Sequence, residues 1–218
     1  MDYGSMLGNA FEYAKEAVMG KWVKWILLII SSIIFPLIMG YMMEIYRGKD
    51  PAPELENWGK LFIDGIKLFI VELIYAIPLI LVAMIFFGGS IALMAGGQGS
   101  DALMGAGIGM MLIGLIIFII LAIAIGLIAI FGGIRFARTD SFGEAFNIRA
   151  IMAHIGSIGW LDYIIALIII YVVVGVINIV LGMIPLIGWL ISLVIMPVLS
   201  IFAARYMTQI YESASAPA

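Results

Sequence analysis

The sequence predicts an all-α fold, a polytopic transmembrane helix bundle with four or five spanning helices and additional interfacial amphipathic helices. Three observations predict it. Apolar residues make up 65% of the 218 residues, and the mean hydropathy is +1.21. The runs 104–134 and 163–204 hold no charged residue, and each exceeds the roughly 20 apolar residues that a helix needs to cross a bilayer. The 11 Lys and Arg gather between such runs, as membrane topology requires. At this length one integral membrane domain, 1–218, is expected.

The elements follow in order. In 5–19, Leu7, Phe11, Ala14 and Val18 recur at helical spacing opposite Asn9, Glu12, Lys15 and Glu16, which predicts an interfacial amphipathic helix. Lys21, Trp22, Lys24 and Trp25 then form a headgroup-level anchor. The first hydrophobic segment, 25–43, is interrupted by Ser31, Ser32, Pro36 and Gly40. Asp50-Pro51-Ala52-Pro53 sets a polar turn over 47–56. A helix starts near Glu56. Asn57, Lys60, Asp64 and Lys67 lie on one polar stripe, and Trp58, Leu61, Phe62 and Phe69 form the apolar face. It runs unbroken into the second hydrophobic segment, 68–87, where Pro78 should bend it by removing a backbone hydrogen bond.

Residues 88–105 are rich in Gly and small side chains, with Asp101 the only charge, and read as a loop. The third hydrophobic segment is 106–134. Ser141-Phe142-Gly143-Glu144 fits a capping box inside the polar stretch 135–159, so a short helix should begin there. The fourth and fifth segments, 160–181 and 186–204, are joined tightly through Gly182-Met183-Ile184-Pro185 and form an antiparallel hairpin. The tail 212–218 is small, polar and expected to fray.

Topology follows from charge. The loops 88–105 and 182–188 carry no Lys or Arg, whereas 46–67 and 135–159 are basic. The positive-inside rule places the basic loops in the cytoplasm. The first segment leaves two alternatives. If 25–43 spans, Lys15, Lys21 and Lys24 lie outside. If it re-enters at Ser31–Pro36, all 11 basic residues are cytoplasmic. Gly8-Asn9-Ala10-Phe11 and Gly143-Glu144-Ala145-Phe146 stand 135 residues apart, and Trp25 matches Trp160 and Gly40 matches Gly175 at the same offset. This faint repeat has the form that transporters often show.

Composition also excludes chemistry. The absence of cysteine removes disulfides, thiolate catalysis and cysteine metal sites. A net charge of −3 gives no reason to expect a nucleic-acid partner. Residues 1–20 contain Asp2, Glu12, Lys15 and Glu16 and lack the apolar core of a cleavable signal peptide. Gly105-Ala106-Gly107-Ile108-Gly109 lacks the spacing of a dinucleotide loop and reads as a site of close helix contact. The 15 Met are scattered without metal-binding periodicity. No cofactor or metal is expected.

Several positions together resemble an uncharacterised family of archaeal and some bacterial membrane proteins, domain of unknown function 4013. They are Gly40-Tyr41 leading to Arg47, Pro53, Trp58-Gly59, Asp64-Gly65, Arg135-Phe136-Ala137 with Ser141-Phe142-Gly143-Glu144-Ala145-Phe146, and the closing Tyr206 and Tyr211. The resemblance covers nearly the whole chain and implies a prokaryotic cell membrane. It brings no assigned activity.

The candidate site residues fall into three groups. Glu72, Asn178, Ser31 and Ser32 are intramembrane polar residues. Glu72 is read as snorkelling or pairing with Lys67, Asn178 as a hydrogen bond to a neighbouring helix, and the serines as satisfying their own helix carbonyls. Lys60, Asp64, Lys67, Arg149 and His154 are interfacial, with Asp64 flanked by lysines on a solvated face and His154 facing headgroups. Ala122, Gly126, Ala129 and Gly133 form a small-residue helix-packing face. The expected function is non-catalytic: a self-associating protein or an accessory subunit of a membrane assembly, with the lipid bilayer and other copies or subunits as partners. The alternatives are a small transporter or channel with a path near Glu72 and Asn178, and an interfacial lipid-modifying enzyme using Asp64, His154 and Arg149.

Overall fold

A computed structural model describes residues 1–97, 100–185 and 187–214. Among these the chain is helical throughout, without strands, in the order α1 (Tyr3–Val18), α2 (Trp22–Ile33), α3 (Phe35–Tyr46), α4 (Trp58–Val82), a π-helical turn (Ala83–Gly88), α5 (Gly89–Gly96), α6 (Asp101–Thr139), α7 (Phe142–Ala145), α8 (Ile148–Ile158), α9 (Trp160–Gly182) and α10 (Gly188–Glu212). Four helical stretches are long and apolar enough to cross a membrane: Trp58–Gly96, Asp101–Thr139, Trp160–Gly182 and Gly188–Glu212. The protein is therefore an all-α membrane protein. Two compact units form, one from 1–71 with 130–218 and one from 72–129.

The first hydrophobic segment is not one helix. α2 and α3 bend by 118° at Ile34. Pro36 has no N–H for the carbonyl one turn back, so it stops α2 while fitting the first turn of α3. Each helix is 12 residues, about 18 Å long. Bent by 118°, such a pair has ends roughly 19 Å apart, too close to cross a hydrocarbon core of about 30 Å. The ends are also tied together. Lys21 and Lys24, at the start of α2, pair with Glu54, beyond the end of α3, at 3.2 and 3.1 Å. A bend of this size is the geometry of a broken span or of a re-entrant pair, and the short distance between its ends is what a re-entrant pair requires.

Within the first unit, α1 packs along α10, and α10 also meets α9, α3, α2 and α8. The expected apolar face of α1 is rotated. Ala10, Tyr13, Ala14, Ala17 and Val18 are buried, whereas Phe11 is exposed. Tyr13 donates from its hydroxyl to the Lys49 carbonyl at 2.8 Å. Trp25 donates its indole N–H to the Val194 carbonyl at 3.0 Å, a backbone group within the turn preceding Pro197 of α10, where the ladder is interrupted. Ser141 precedes α7 as expected, but its side chain makes no cap bond. The capping box does not close because the Glu144 carboxylate goes to Arg135 instead. The α8 cap is Asn147, which accepts from the Ala150 N–H at 3.2 Å.

The second unit is a helical hairpin, from Glu72 through the π-helical turn and α5 to Ala129 of α6. Its two limbs touch where side chains are missing. A Cβ on Gly114 would lie 2.2 Å from the Phe86 Cβ, and one on Gly107 would lie 2.7 Å from the Met94 side chain. Phe87 and Phe118 pack with ring centroids 6.0 Å apart. The expected loop 88–105 is therefore mostly helix, through Gly96 and again from Asp101. Its Gly content marks close helix approach as well as a turn, and positions 98 and 99 lie outside the described residues. So do Leu186, the expected first residue of the fifth segment, and 215–218 of the tail.

Candidate functional site

The most organised chemistry lies where α3 crosses α4. Gly40 and Gly65 let the two backbones meet. A Cβ on Gly40 would sit 1.8 Å from the Leu61 carbonyl oxygen, and one on Gly65 would sit 1.7 Å from that of Pro36. Glu44 lies one turn beyond Gly40, and Lys60 and Asp64 precede Leu61 and Gly65. The crossing therefore sets these side chains against each other.

Glu44 and Asp64 are both 4% exposed. Glu44 accepts from Arg47 at 2.5 Å, from Lys60, and pairs with Lys49 at 2.5 Å. Asp64 accepts from Arg47 at 2.8 Å and pairs with Lys60 at 3.3 Å and Lys67 at 3.8 Å. Arg47 also reaches Asp140 at 3.7 Å. Two buried carboxylates are thus bridged by one guanidinium and ringed by three ammonium groups. A buried carboxylate in such a web stays charged only because its cations are in place.

More ion pairs surround this web. Arg205 reaches Asp50 at 2.6 Å and lies over the Tyr13 ring at 4.6 Å. Arg138 donates to the Tyr46 carbonyl at the end of α3 at 2.5 Å and pairs with Glu212. Hydrogen bonds from Arg135 hold the Glu144 carboxyl below the usual range. Desolvation pushes Glu54 up, but hydrogen bonds from Lys24 and Lys21 outweigh it and keep its carboxyl low. Two adjoining grooves open beside the web. One, about 120 Å³, is lined by Glu44, Lys49, Glu54, Glu56, Asn57 and Lys60. The other, about 540 Å³, is lined by Lys21, Trp22, Val23, Lys24, Leu27 and Glu54–Glu56.

The sequence candidates are distributed as follows. Lys60, Asp64 and Lys67 do share a face of α4, which runs unbroken from Trp58 to Val82. That face is not simply solvated, because α3 covers Asp64. Glu44 and Arg47, which complete the web, were not among the candidates. Their i, i+3 spacing next to Gly40 was the signal available. His154 is half-buried, with its Nε2 2.8 Å from the Tyr211 carbonyl and its ring stacked on Tyr211 at 4.0 Å. Arg149 is exposed.

Ser31 and Ser32 bond the carbonyls of Leu27 and Leu28 at 2.7 and 2.9 Å, as expected. Asn178 does not reach a neighbouring helix. It donates to Val174 of its own helix at 2.8 Å, beside an apolar groove of about 500 Å³ that also holds Trp189, Ser192 and Ser200. Ser31 is not part of that groove's lining. Glu72 is exposed on α4. Lys67, its expected partner, pairs with Asp64.

The small-residue stripe divides. Gly133 is packed, with Leu68 at 3.4 Å from where a Cβ would stand. Gly126 has nothing within 4 Å. Among the described residues no cluster of three or more Asp, Glu or His gathers as a metal site would require.

A family model described as a protein of unknown function, DUF4013, matches residues 25–186. The chain belongs to the DUF4013 family. No curated protein and no solved structure matches it.

In this DUF4013 protein, the positions that carried the resemblance largely contact one another. Gly40 and Gly65 form the helix crossing, and Arg47 reaches Asp64. The Tyr41 hydroxyl donates to the Pro53 carbonyl at 2.8 Å. Arg135 pairs with Glu144, and Phe136 packs on Phe142 with centroids 4.9 Å apart. Tyr211 stacks on His154. The motif residues thus build the charged end of the first unit.

Proposed function

We propose that this protein is a non-catalytic membrane interaction protein that self-associates through α6. The observation that carries the reading is Gly126. It sits on an apolar spanning helix with open space where a side chain would project, and Ala122 and Ala129 continue the same stripe. Hydrocarbon offers helices little hydrophobic drive to associate, so faces that allow close backbone approach matter most. Elsewhere this chain uses its glycines in that way: Gly40, Gly65, Gly107 and Gly114 each meet a neighbour within contact distance. The 122–129 stripe offers the same opportunity to a second copy.

The other side chains support a non-catalytic role. Asp64 is held in ion pairs and His154 is stacked on Tyr211. The polar groups beside Asn178 turn to their own helix carbonyls: Ser192 to Gly188 and Ser200 to Met196. The donors of this groove are thus already engaged within their own helices. The positive-inside rule puts the basic end in the cytoplasm.

The test is particle mass in mild detergent or nanodiscs. Gly126→Leu should leave the protomer folded and lower the particle mass to that of one copy. Gly133→Leu should instead destabilise the protomer, because Leu68 occupies that side. Unchanged mass and unchanged thermal stability in Gly126→Leu would show that the stripe faces only lipid.

A further inference from the structure

The two grooves at the base of the re-entrant pair are sorted by chemistry. The apolar lining of the larger groove is Val23 and Leu27, with Val23 largely exposed. Lys24 lies one helical turn before Leu27 and Lys21 one turn before Lys24, with Val23 between the two lysines. Then comes Glu54, which both lysines touch, and Glu56, which makes no ion pair among the described residues. These two acids also line the smaller groove. There Glu44, Glu54 and Glu56 outnumber Lys49 and Lys60. From Leu27 through the two lysines to Glu54 and Glu56, the lining passes from apolar to cationic to acidic.

Lys24 is built into its position. Its side chain is only 6% exposed, and Glu54 is its one hydrogen-bond partner among the described residues, at 3.1 Å. An ammonium has three donors, so two remain to face the groove. Lys21 is half-exposed beside it and shares the same Glu54 oxygen. Trp22 flanks the site, stacked on Trp25 with centroids 5.7 Å apart, as tryptophans do at headgroup depth.

We propose that these joined grooves bind one zwitterionic phospholipid bearing a primary ammonium. Its acyl chain lies along Val23 and Leu27, and its phosphate sits on Lys21 and Lys24. Its ammonium is held between Glu54 and Glu56 at the mouth of the smaller groove. The head of such a lipid carries its groups in the same order as the protein surface: tail, phosphate, ammonium. A purely anionic lipid would satisfy the lysines but face Glu56 unpaired. A soluble phosphate ester would leave the apolar wall unused.

The experiment measures lipid retained by the full chain in mild detergent by native mass analysis. The probes are phosphatidylethanolamine and phosphatidylglycerol of identical acyl chains. Wild type should retain one phosphatidylethanolamine in preference to phosphatidylglycerol. Lys21→Gln should lower retention of both lipids about tenfold, the loss of one charge-assisted hydrogen bond. Glu56→Gln should lower phosphatidylethanolamine retention alone. Both positions are exposed, so the folded state is checked by a cooperative thermal transition within a few degrees of wild type, and Lys24→Gln provides a further variant where it folds. Water-soluble glycerophosphoethanolamine at equal concentration should displace none of the lipid. Equal retention of the two lipids by wild type, or phosphatidylethanolamine retention untouched by Lys21→Gln and Glu56→Gln, would overturn the proposal. So would displacement by the soluble head.

Discussion

Gly65→Ala is the sharpest test of how the charged web is held. The added Cβ would stand 1.7 Å from the Pro36 carbonyl oxygen and 2.8 Å from the Gly40 nitrogen. Both are backbone atoms of α3, so no side chain can swing aside. To reach the 3.4 Å at which ordinary contact begins, α3 and α4 must part by about 1.7 Å. Overpacking typically costs about 1–3 kcal/mol, and a backbone clash belongs at the upper end. The same movement stretches the hydrogen bonds from Arg47 and Lys60, which span the two helices. For a chain of this size about 3 kcal/mol lowers Tm by roughly 6–12 °C. Gly59→Ala is the control on the same helix, because nothing lies within 4 Å of its Cβ position. Replacing that glycine should leave stability level or slightly raised. Thermal unfolding in detergent, read by tryptophan fluorescence, compares them. If Gly65→Ala melts with wild type, the helices do not cross at this point and the reasoning fails.

Other expectations follow from the same geometry. Glu44→Gln should destabilise the protein by roughly 1–3 kcal/mol. It removes a buried charge that three cations share, although two of them are half-exposed and keep some water; urea unfolding in mixed micelles would check it. Glu54 has a carboxyl held below its ordinary 4.5, so its contribution is fully present above about pH 4.5 and is lost as pH falls through the lower folded value. The Tm gap between wild type and Glu54→Gln should accordingly close on acidification, and a gap that widened would contradict the Lys21–Glu54–Lys24 pairing. Trp25→Phe should cost about 1 kcal/mol by leaving the Val194 carbonyl without its indole donor, and should increase amide exchange around Pro197.

Much of the architecture was legible because bilayer physics writes itself into composition. The apolar runs gave four spanning segments, and the i, i+4 and i, i+3 placing of Lys60, Asp64 and Lys67 gave one helix face. The break at Ile34 was half legible. Pro36 and the paired serines marked it, but whether the chain turned back depended on Lys21 and Lys24 meeting Glu54, a contact 30 residues away in sequence. Asp64 was misjudged as solvated because its lysine neighbours are local while its burial comes from α3. Gly40 was visible as a break in the first hydrophobic segment and Gly65 only as part of a family resemblance. Their meaning, two backbones in contact, requires knowing which helices cross. The capping box failed for a similar reason, since Arg135 competes for Glu144 from the end of α6.

The account's central claim is that α2 and α3 turn back, so that α1 and the loop after α3 share one side of the membrane. The chain contains no cysteine, so single introduced cysteines report cleanly. Cysteines placed at Glu12 and at Asn147, each alone, should react with an impermeant thiol reagent from the same side of sealed vesicles. Labelling of the two positions from opposite sides would mean that the segment spans, and the re-entrant architecture would be wrong.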